Sequence, residues 1–271
     1  MEKKLNFLPK FNAFGIADSE IPALELGQIP TLKFAGECYK KLGLSVPFGA
    51  PKVGFLLGRE DSYYTIDYNY AYAVVKSGVE PVFLDYQNCT EQLAGCSGLI
   101  LPGGAFQSPD WYYTDETPNA VYPNARSQAY AYALHTALAM GIPILGICAG
   151  AQVIAAEFGG HLDKSKKRPH HKTDNQWAHW VKIKYFTPLH NLLEILSLMT
   201  NSRHKESVRD LPTLDLYAET NDGVPEAWGS SKDKILCIQW HPEDYAAQGN
   251  LLHQKIYNWL AIEAKKYQTK L

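Results

Sequence analysis

The 271-residue sequence predicts an α/β fold: a three-layer αβα domain with a mainly parallel sheet, helices on both faces and a sharp strand-to-helix turn at a cysteine. Three observations predict it. From Pro51 onward short apolar runs alternate with amphipathic stretches, the pattern of parallel strands joined by covering helices. The run IPILGIC (Ile142 to Cys148) is apolar on both of its faces, as a central strand covered on both sides must be. Glycines stand where elements should end, at Gly78, Gly103, Gly104, Gly141, Gly159 and Gly160.

The elements follow in order. VGFLLG (Val53 to Gly58) is the first strand, and Asp67 to Ser77 a helix closed by Gly78. PVFLD (Pro81 to Asp85) and GLILPGG (Gly98 to Gly104) are the next two strands, the latter running into a glycine pair. A helix over Ala125 to Met140 stops at Gly141, IPILGIC is the fourth strand, and AQVIAAEFGG is a helix. The second half is less regular. VKIKYF (Val181 to Phe186) alternates like a half-exposed strand, PLHNLLEIL opens a helix on its proline, and DLYAETNDGVPEAWG places two strands around Asn-Asp-Gly. KILCIQW (Lys234 to Trp240) is a strong strand, and Asn250 to Lys265 a helix covering the sheet. Residues 1–50 read as an extension packed on the domain of residues 51–271, with one helix from Pro30 to Gly43; a lid or a homodimer contact is the competing role.

Apolar types make up 46% of the chain, enough for a sizeable core. With 26 basic residues against 28 acidic, the net charge of -2 supplies no field to gather nucleic acid or an anionic membrane. No segment approaches the ~18 to 20 apolar residues of a membrane span. The start, MEKKLNFLPKFNAFGIADSE, lacks the apolar stretch of a signal peptide. Five cysteines, Cys38, Cys89, Cys96, Cys148 and Cys237, form no CxxC pair, which predicts free thiols and a cytoplasmic protein.

ILGICAGAQ carries the chemistry. Gly146, Ile147, Cys148, Ala149 and Gly150 between a strand and a helix fit a nucleophile elbow, with the glycines making room for close backbone. At a helix N-terminus the unpaired amides favour thiolate over thiol. A thiol nucleophile needs a base, and QWHPED supplies His241, with Glu243 two residues on, on the same side of an extended chain; Pro242 keeps His241 out of helical geometry. Acyl transfer also needs donors for an oxyanion, which LPGGAF offers at Gly103 and Gly104 and the elbow at Ala149.

LPGG, GICAGAQ, NSRH, DGVPEAW and QWHPE, in this order, resemble the class I glutamine amidotransferase-like superfamily, and within it the gamma-glutamyl hydrolase branch, including gamma-glutamyl-gamma-aminobutyrate hydrolases. The resemblance covers about Pro51 to Lys265 and implies a flavodoxin-like sheet. It implies that Cys148 is the nucleophile, His241 its base and acid, and Glu243 the group that orients His241. Gly104 and Ala149 would be the oxyanion amides, Gly103 would shape the turn, and Gln152 would touch the glutamyl head group. Asn201, Ser202 and His204 match the NSxH stretch that lines the pocket in relatives. Two positions depart from the branch: Ala149 stands where arginine is common, and Lys205 where NSxHH has its second histidine.

The implied activity is hydrolysis of a gamma-glutamyl amide, on a small-molecule substrate and with no cofactor or metal. A glutaminase subunit that passes ammonia to a separate synthetase and a non-catalytic binding protein on the same scaffold are the rivals. KSKKRPHHK (Lys164 to Lys172) reads as a solvated loop, with attraction of an anionic chain as the functional alternative. His161, His170, His171 and His179 lack the partners at ligand spacing that a zinc site needs. In DWYYTDE, Tyr112 or Tyr113 would either wall the pocket or pack on the insertion itself.

Overall fold

The computed structural model describes residues 10–12, 43, 47–60, 63–114, 121–164 and 176–270. Nine strands form the main sheet: β1 (Lys52–Leu56), β2 (Glu80–Leu84), β3 (Gly98–Leu101), β4 (Ile144–Ile147), β5 (His179–Ile183), β6 (Ser197–Thr200), β7 (Asp215–Thr220), β8 (Pro225–Ser230) and β9 (Ile235–Ile238). Their spatial order is β6-β5-β7-β8-β9-β4-β3-β1-β2. Every pairing from β9 to β2 is parallel, and every pairing from β6 to β9 antiparallel. The parallel half therefore runs 2-1-3-4 with β9 fifth, a doubly wound order whose ligand crevice lies at the carboxyl ends of the strands.

The helices are α1 (Tyr68–Lys76), α2 (Cys89–Leu93), α3 (Ala125–Met140), α4 (Ala149–Glu157), α5 (Pro188–Leu193), α6 (Pro242–Ala246) and α7 (Leu251–Gln268). α2, α3 and α4 pack together on one face of the sheet; α1, α5, α6 and α7 form the other layer. β3, β4 and β9 are buried at every residue, which explains their unbroken apolar runs. Register then sets the site: Leu101 of β3 pairs with Gly146 of β4, and Ile147 of β4 with Ile238 of β9, so the three strands end level. Pro102 to Gly104, Cys148 and Gln239 to His241 leave the sheet at one rim.

Local chemistry marks the helix ends. The Asn124 side chain accepts a hydrogen bond from Ser127 N at 2.9 Å to start α3, and Gly141, at φ +69°, ends it where expected. α5 stops at Glu194, which takes the left-handed conformation at φ +59°; the predicted helix is therefore shorter than PLHNLLEIL, and the chain turns directly into the unforeseen β6. The first predicted strand also ends early. Gly58 begins an antiparallel hairpin (Gly58–Glu60 with Tyr63–Asp67), and Lys10–Asn12 pairs with the outer edge of its second strand. The helix predicted over Pro30 to Gly43, most of residues 1–50, Cys38, His170, His171 and all of the basic cluster but Lys164 lie outside the described residues. Among the described residues no helix is long and apolar enough to cross a membrane.

Candidate active site

Cys148 follows β4 and caps α4, with φ +50° and ψ −109°, a conformation rarely adopted by a residue with a side chain. Packing holds it there. Cys148 N donates to Ile238 O of β9 at 2.8 Å, and Gly150 N to Pro102 O at 3.2 Å, which tie the turn to both neighbouring strands. The two flanking glycines have separate reasons. A β-carbon on Gly146 would stand 2.6 Å from Ile154 Cδ1, and one on Gly150 only 2.0 Å from the Leu101 carbonyl oxygen.

The Pro102 to Gly104 loop is held by three side chains. Tyr130 Oη donates to Pro102 O at 2.7 Å, Gly103 N donates to Tyr70 Oη at 2.8 Å, and Arg126 Nη2 donates to Gly103 O at 3.1 Å. Among the described residues the amides of Gly104 and Ala149 have no hydrogen-bond acceptor. Gly104, at φ +125°, takes a backbone conformation open to glycine, and Arg126 lies where its side chain would be. Gly103 sits at the meeting point: its β-carbon would lie 2.7 Å from His241 Cε1 and 3.0 Å from both Cys148 Cβ and Tyr70 Oη.

His241 and Cys148 meet at Gly103 on one side of the ring, and on the other side His241 Nδ1 lies 2.5 Å from Glu243 Oε1. The second Glu243 oxygen accepts from Tyr257 Oη at 3.3 Å. The chain from His241 to Glu243 is not extended as the sequence predicts. His241 is non-helical as expected, at φ −104° and ψ 88°, but Pro242 is the first residue of α6 and Glu243 lies in its first turn. Asn201 fixes the His241 backbone from both sides, its Oδ1 accepting from His241 N at 2.9 Å and its Nδ2 donating to His241 O at 3.1 Å. The same Nδ2 reaches Asp244, which also binds Asn69 and Arg203.

Burial pushes the Cys148 thiol up, but the charge and hydrogen bond of His241, joined by the charge of His204, outweigh it and hold the thiol below its ordinary value. His241 moves the other way. Burial lowers it, and the charges and hydrogen bonds of Glu243 and Cys148 raise it well above the ordinary imidazole range. Both shifts run in the direction that favours a thiolate beside an imidazolium. Burial pushes Cys89 and Cys96 each to about 12, at Cys96 against the opposing charge of Lys52, and it also raises Cys237.

The remaining predicted residues surround this centre. Gln152, on the second turn of α4, donates through Nε2 to Glu206 O at 2.8 Å and to Gln239 Oε1 at 3.2 Å. His204 Nδ1 lies 2.8 Å from the same Glu206 carbonyl, and Ser202 is fully buried. The Asn201 carboxamide, expected to line the pocket, is taken up by His241 and Asp244. Tyr112 packs within its insertion and donates to Glu157, whereas Tyr113 donates to Glu206 Oε2 at 2.8 Å. Sequence reasoning missed Tyr70, Arg126, Tyr130, Tyr257, Asp244 and Glu226. Only two had a signal: Asp244 completes QWHPED, and Glu226 lies inside DGVPEAW.

Among the described residues no three His, Cys, Asp or Glu side chains are placed to hold a metal ion. His161 pairs with Asp210 at 2.9 Å, and His179 with Glu226 at 3.3 Å.

Comparison with known proteins agrees with the fold. A glutamine amidotransferase-like protein of Rickettsia prowazekii is 28% identical over 233 residues, covering 67% of this chain and 83% of that one. A glutamine-hydrolysing GMP synthase of Rippkaea orientalis is 29% identical over 171 residues, 62% of this chain but 27% of the synthase. The crystal structure of a Thermoplasma acidophilum protein described as one subunit of GMP synthase superposes with a TM-score of 0.61 at 20% identity, over 82% of this chain and 97% of that one. Residues 57–243, from the end of β1 to Glu243, match the peptidase C26 family model. The chain belongs to the peptidase C26 family, among the class I glutamine amidotransferase-like proteins.

Proposed function

We propose that the chain is a cysteine-dependent hydrolase of gamma-glutamyl amides, with Cys148 as nucleophile, His241 as its proton partner and Glu243 orienting His241. The observation that carries this reading is the buried Cys148–His241–Glu243 line, in which the thiol is held down and the imidazole up by their mutual charge. The thiolate attacks the side-chain carbonyl carbon of the glutamyl group, forming a C–S bond while the carbonyl oxygen takes the charge between the Gly104 and Ala149 amides. As the C–N bond breaks, His241 gives its proton to the leaving amine. His241 then takes a proton from water, the hydroxide adds to the thioester, and the C–S bond breaks to release glutamate and the thiolate.

Membership of the peptidase C26 family and the intact line of three side chains support hydrolysis. The GMP synthase match favours a second reading, a glutaminase that hands ammonia to a synthetase chain. A panel of gamma-glutamyl amines, gamma-glutamyl peptides, polyglutamate and free glutamine separates the two. The purified chain alone should hydrolyse at least one gamma-glutamyl amide or peptide faster than glutamine. Silence on all of them, relieved by adding a synthetase, would select the glutaminase.

Asn201 supplies an independent check on the assignment of His241. Asn201→Ala removes both clamps on the His241 backbone, and displacement of a reacting group by about 1 Å typically costs about 100-fold in rate. Turnover of the best substrate should fall by that order. Unchanged turnover in a folded variant would show that the clamp does not position the ring.

A further inference from the structure

A second line of buried charge, separate from the His241–Glu243 pair, reaches Cys148, and the proposed reaction does not yet use it. Glu226, on β8, is completely buried. Its carboxylate lies 3.3 Å from His179 Nε2 and 3.6 Å from His204 Nε2, both at ion-pair separation. His204 is itself 4% exposed. A buried carboxylate without opposite charge is costly, so the histidines are the groups that allow Glu226 to remain ionised.

The two ring nitrogens of His204 specify its charge. Nδ1 faces the Glu206 carbonyl at 2.8 Å, and a carbonyl can only accept a hydrogen bond. Nε2 faces the Glu226 carboxylate across 3.6 Å, an ion-pair separation too long for a hydrogen bond, so the two act on each other through charge. A negative charge on that side favours the ring with a proton on each nitrogen, an imidazolium. Its position is fixed relative to the thiol, because the Glu206 carbonyl that receives Nδ1 also receives Gln152 Nε2, from the second turn of the helix that Cys148 caps.

We infer that Glu226, bracketed by His179, is a positioning residue that keeps His204 cationic, so that a second positive charge beside His241 holds the Cys148 sulfur as thiolate. This deepens the proposed function and rests on its assignment of Cys148 as nucleophile. The electrostatics run the same way. Burial lowers His204, and the nearby Glu226 carboxylate overcomes it; burial raises Glu226, and the two histidines bring it below the ordinary carboxylate value. The groups facing Cys148 are His241, His204, Glu243, Tyr70 and Tyr130. The Arg126 guanidinium stands behind the Gly103 carbonyl, to which it donates at 3.1 Å.

Alkylation of Cys148 by iodoacetamide, a neutral reagent, tests the inference without any glutamyl substrate. The rate at Cys148 is followed by peptide mass from pH 4.5 to 9.5 in wild type, Glu226→Gln and His204→Gln, with Cys148→Ser as the blank. In wild type the rate should rise with the thiolate at a midpoint below the ordinary thiol range. Loss of one nearby charge should move that midpoint up by about 1 pH unit in each variant, a roughly tenfold slower reaction on the acid limb. Because the two act through one cation, the double variant should shift no further than either single one. A role in packing alone would leave the midpoint in place. Should Glu226→Gln fail to fold, His204→Gln decides by itself, and a midpoint that matches wild type in any folded variant of the pair overturns the inference. A shifted midpoint in a chain that hydrolyses no member of the substrate panel would sink the proposed hydrolase and leave this inference standing.

Discussion

Cys148→Ala is expected to lower kcat/KM on the best gamma-glutamyl substrate by about a hundred-thousand-fold or more, the scale seen when the nucleophile of a tightly coupled triad is removed. In the proposed mechanism the sulfur forms the bond that splits one difficult displacement into two, and burial raises the free thiols of Cys89, Cys96 and Cys237. The same logic predicts strong non-additivity. His241→Ala should be severe in the wild-type background and add almost nothing after Cys148→Ala, because the ring has no other proton to exchange. The pH profile follows from the directions of the two shifts. The thiol is held low and the imidazole high, so kcat/KM should fall on the acid side as the thiolate is protonated. It should fall again on the alkaline side as His241 loses the proton owed to the leaving amine. These are the two macroscopic steps of one coupled pair. A Cys148→Ala protein that keeps turnover within tenfold of wild type would remove the covalent mechanism.

The parts of this site that were legible in the sequence are those written in contiguous residues. GICAGAQ and QWHPE each place chemistry within a few positions of a strand end, and β3, β4 and β9 are apolar throughout because they are covered on both faces. α3 was legible for a similar reason, with a glycine after it that takes the left-handed conformation, whereas the Asn124 cap before it emerged only in the structure. The antiparallel strands β5 to β8 were harder, because β5 is half-exposed and mixes His179, Trp180 and Lys182 with its buried valine and isoleucine. β6 has four residues and follows a helix that stops only because Glu194 turns left-handed. The supports of the site were not legible at all. Tyr70 and Tyr130 look like ordinary large residues on covering helices, yet their hydroxyls hold a loop about 30 positions away in the chain. Asn201 and His241 are 40 residues apart and meet only because β9 and the segment after β6 end at the same rim. Hydrogen bonds between distant segments leave no local period in the sequence, so a functional tyrosine and a core tyrosine read alike.

Gly150→Ala is expected to be the most damaging single methyl group near the site. An added β-carbon would stand 2.0 Å from the Leu101 carbonyl oxygen and 2.5 Å from its carbon, and both obstacles are backbone. A flexible side chain can swing away from such a clash; a carbonyl in the middle of a parallel sheet cannot move without its neighbours. Leu101 pairs with Gly146, and Gly150 N bonds Pro102 O, so any shift that relieves the clash separates α4 from the Gly103–Gly104 loop. Overpacking of this kind costs about 3 kcal/mol or more, or a fall in Tm of roughly 6–12 °C for a chain of this size. Gly95→Ala is the matched control: its β-carbon meets nothing within 4 Å, and its Tm should stay within about 2 °C of wild type. Turnover should separate the two as well. Any Gly150→Ala protein that folds will carry the Gly104 amide on one body and the Ala149 amide with the Cys148 sulfur on another, the two no longer fitting, and should lose activity even below its melting point. A Gly150→Ala variant with wild-type Tm and wild-type kcat would mean that the elbow is not locked to β3, and that the strained geometry at Cys148 has some other support.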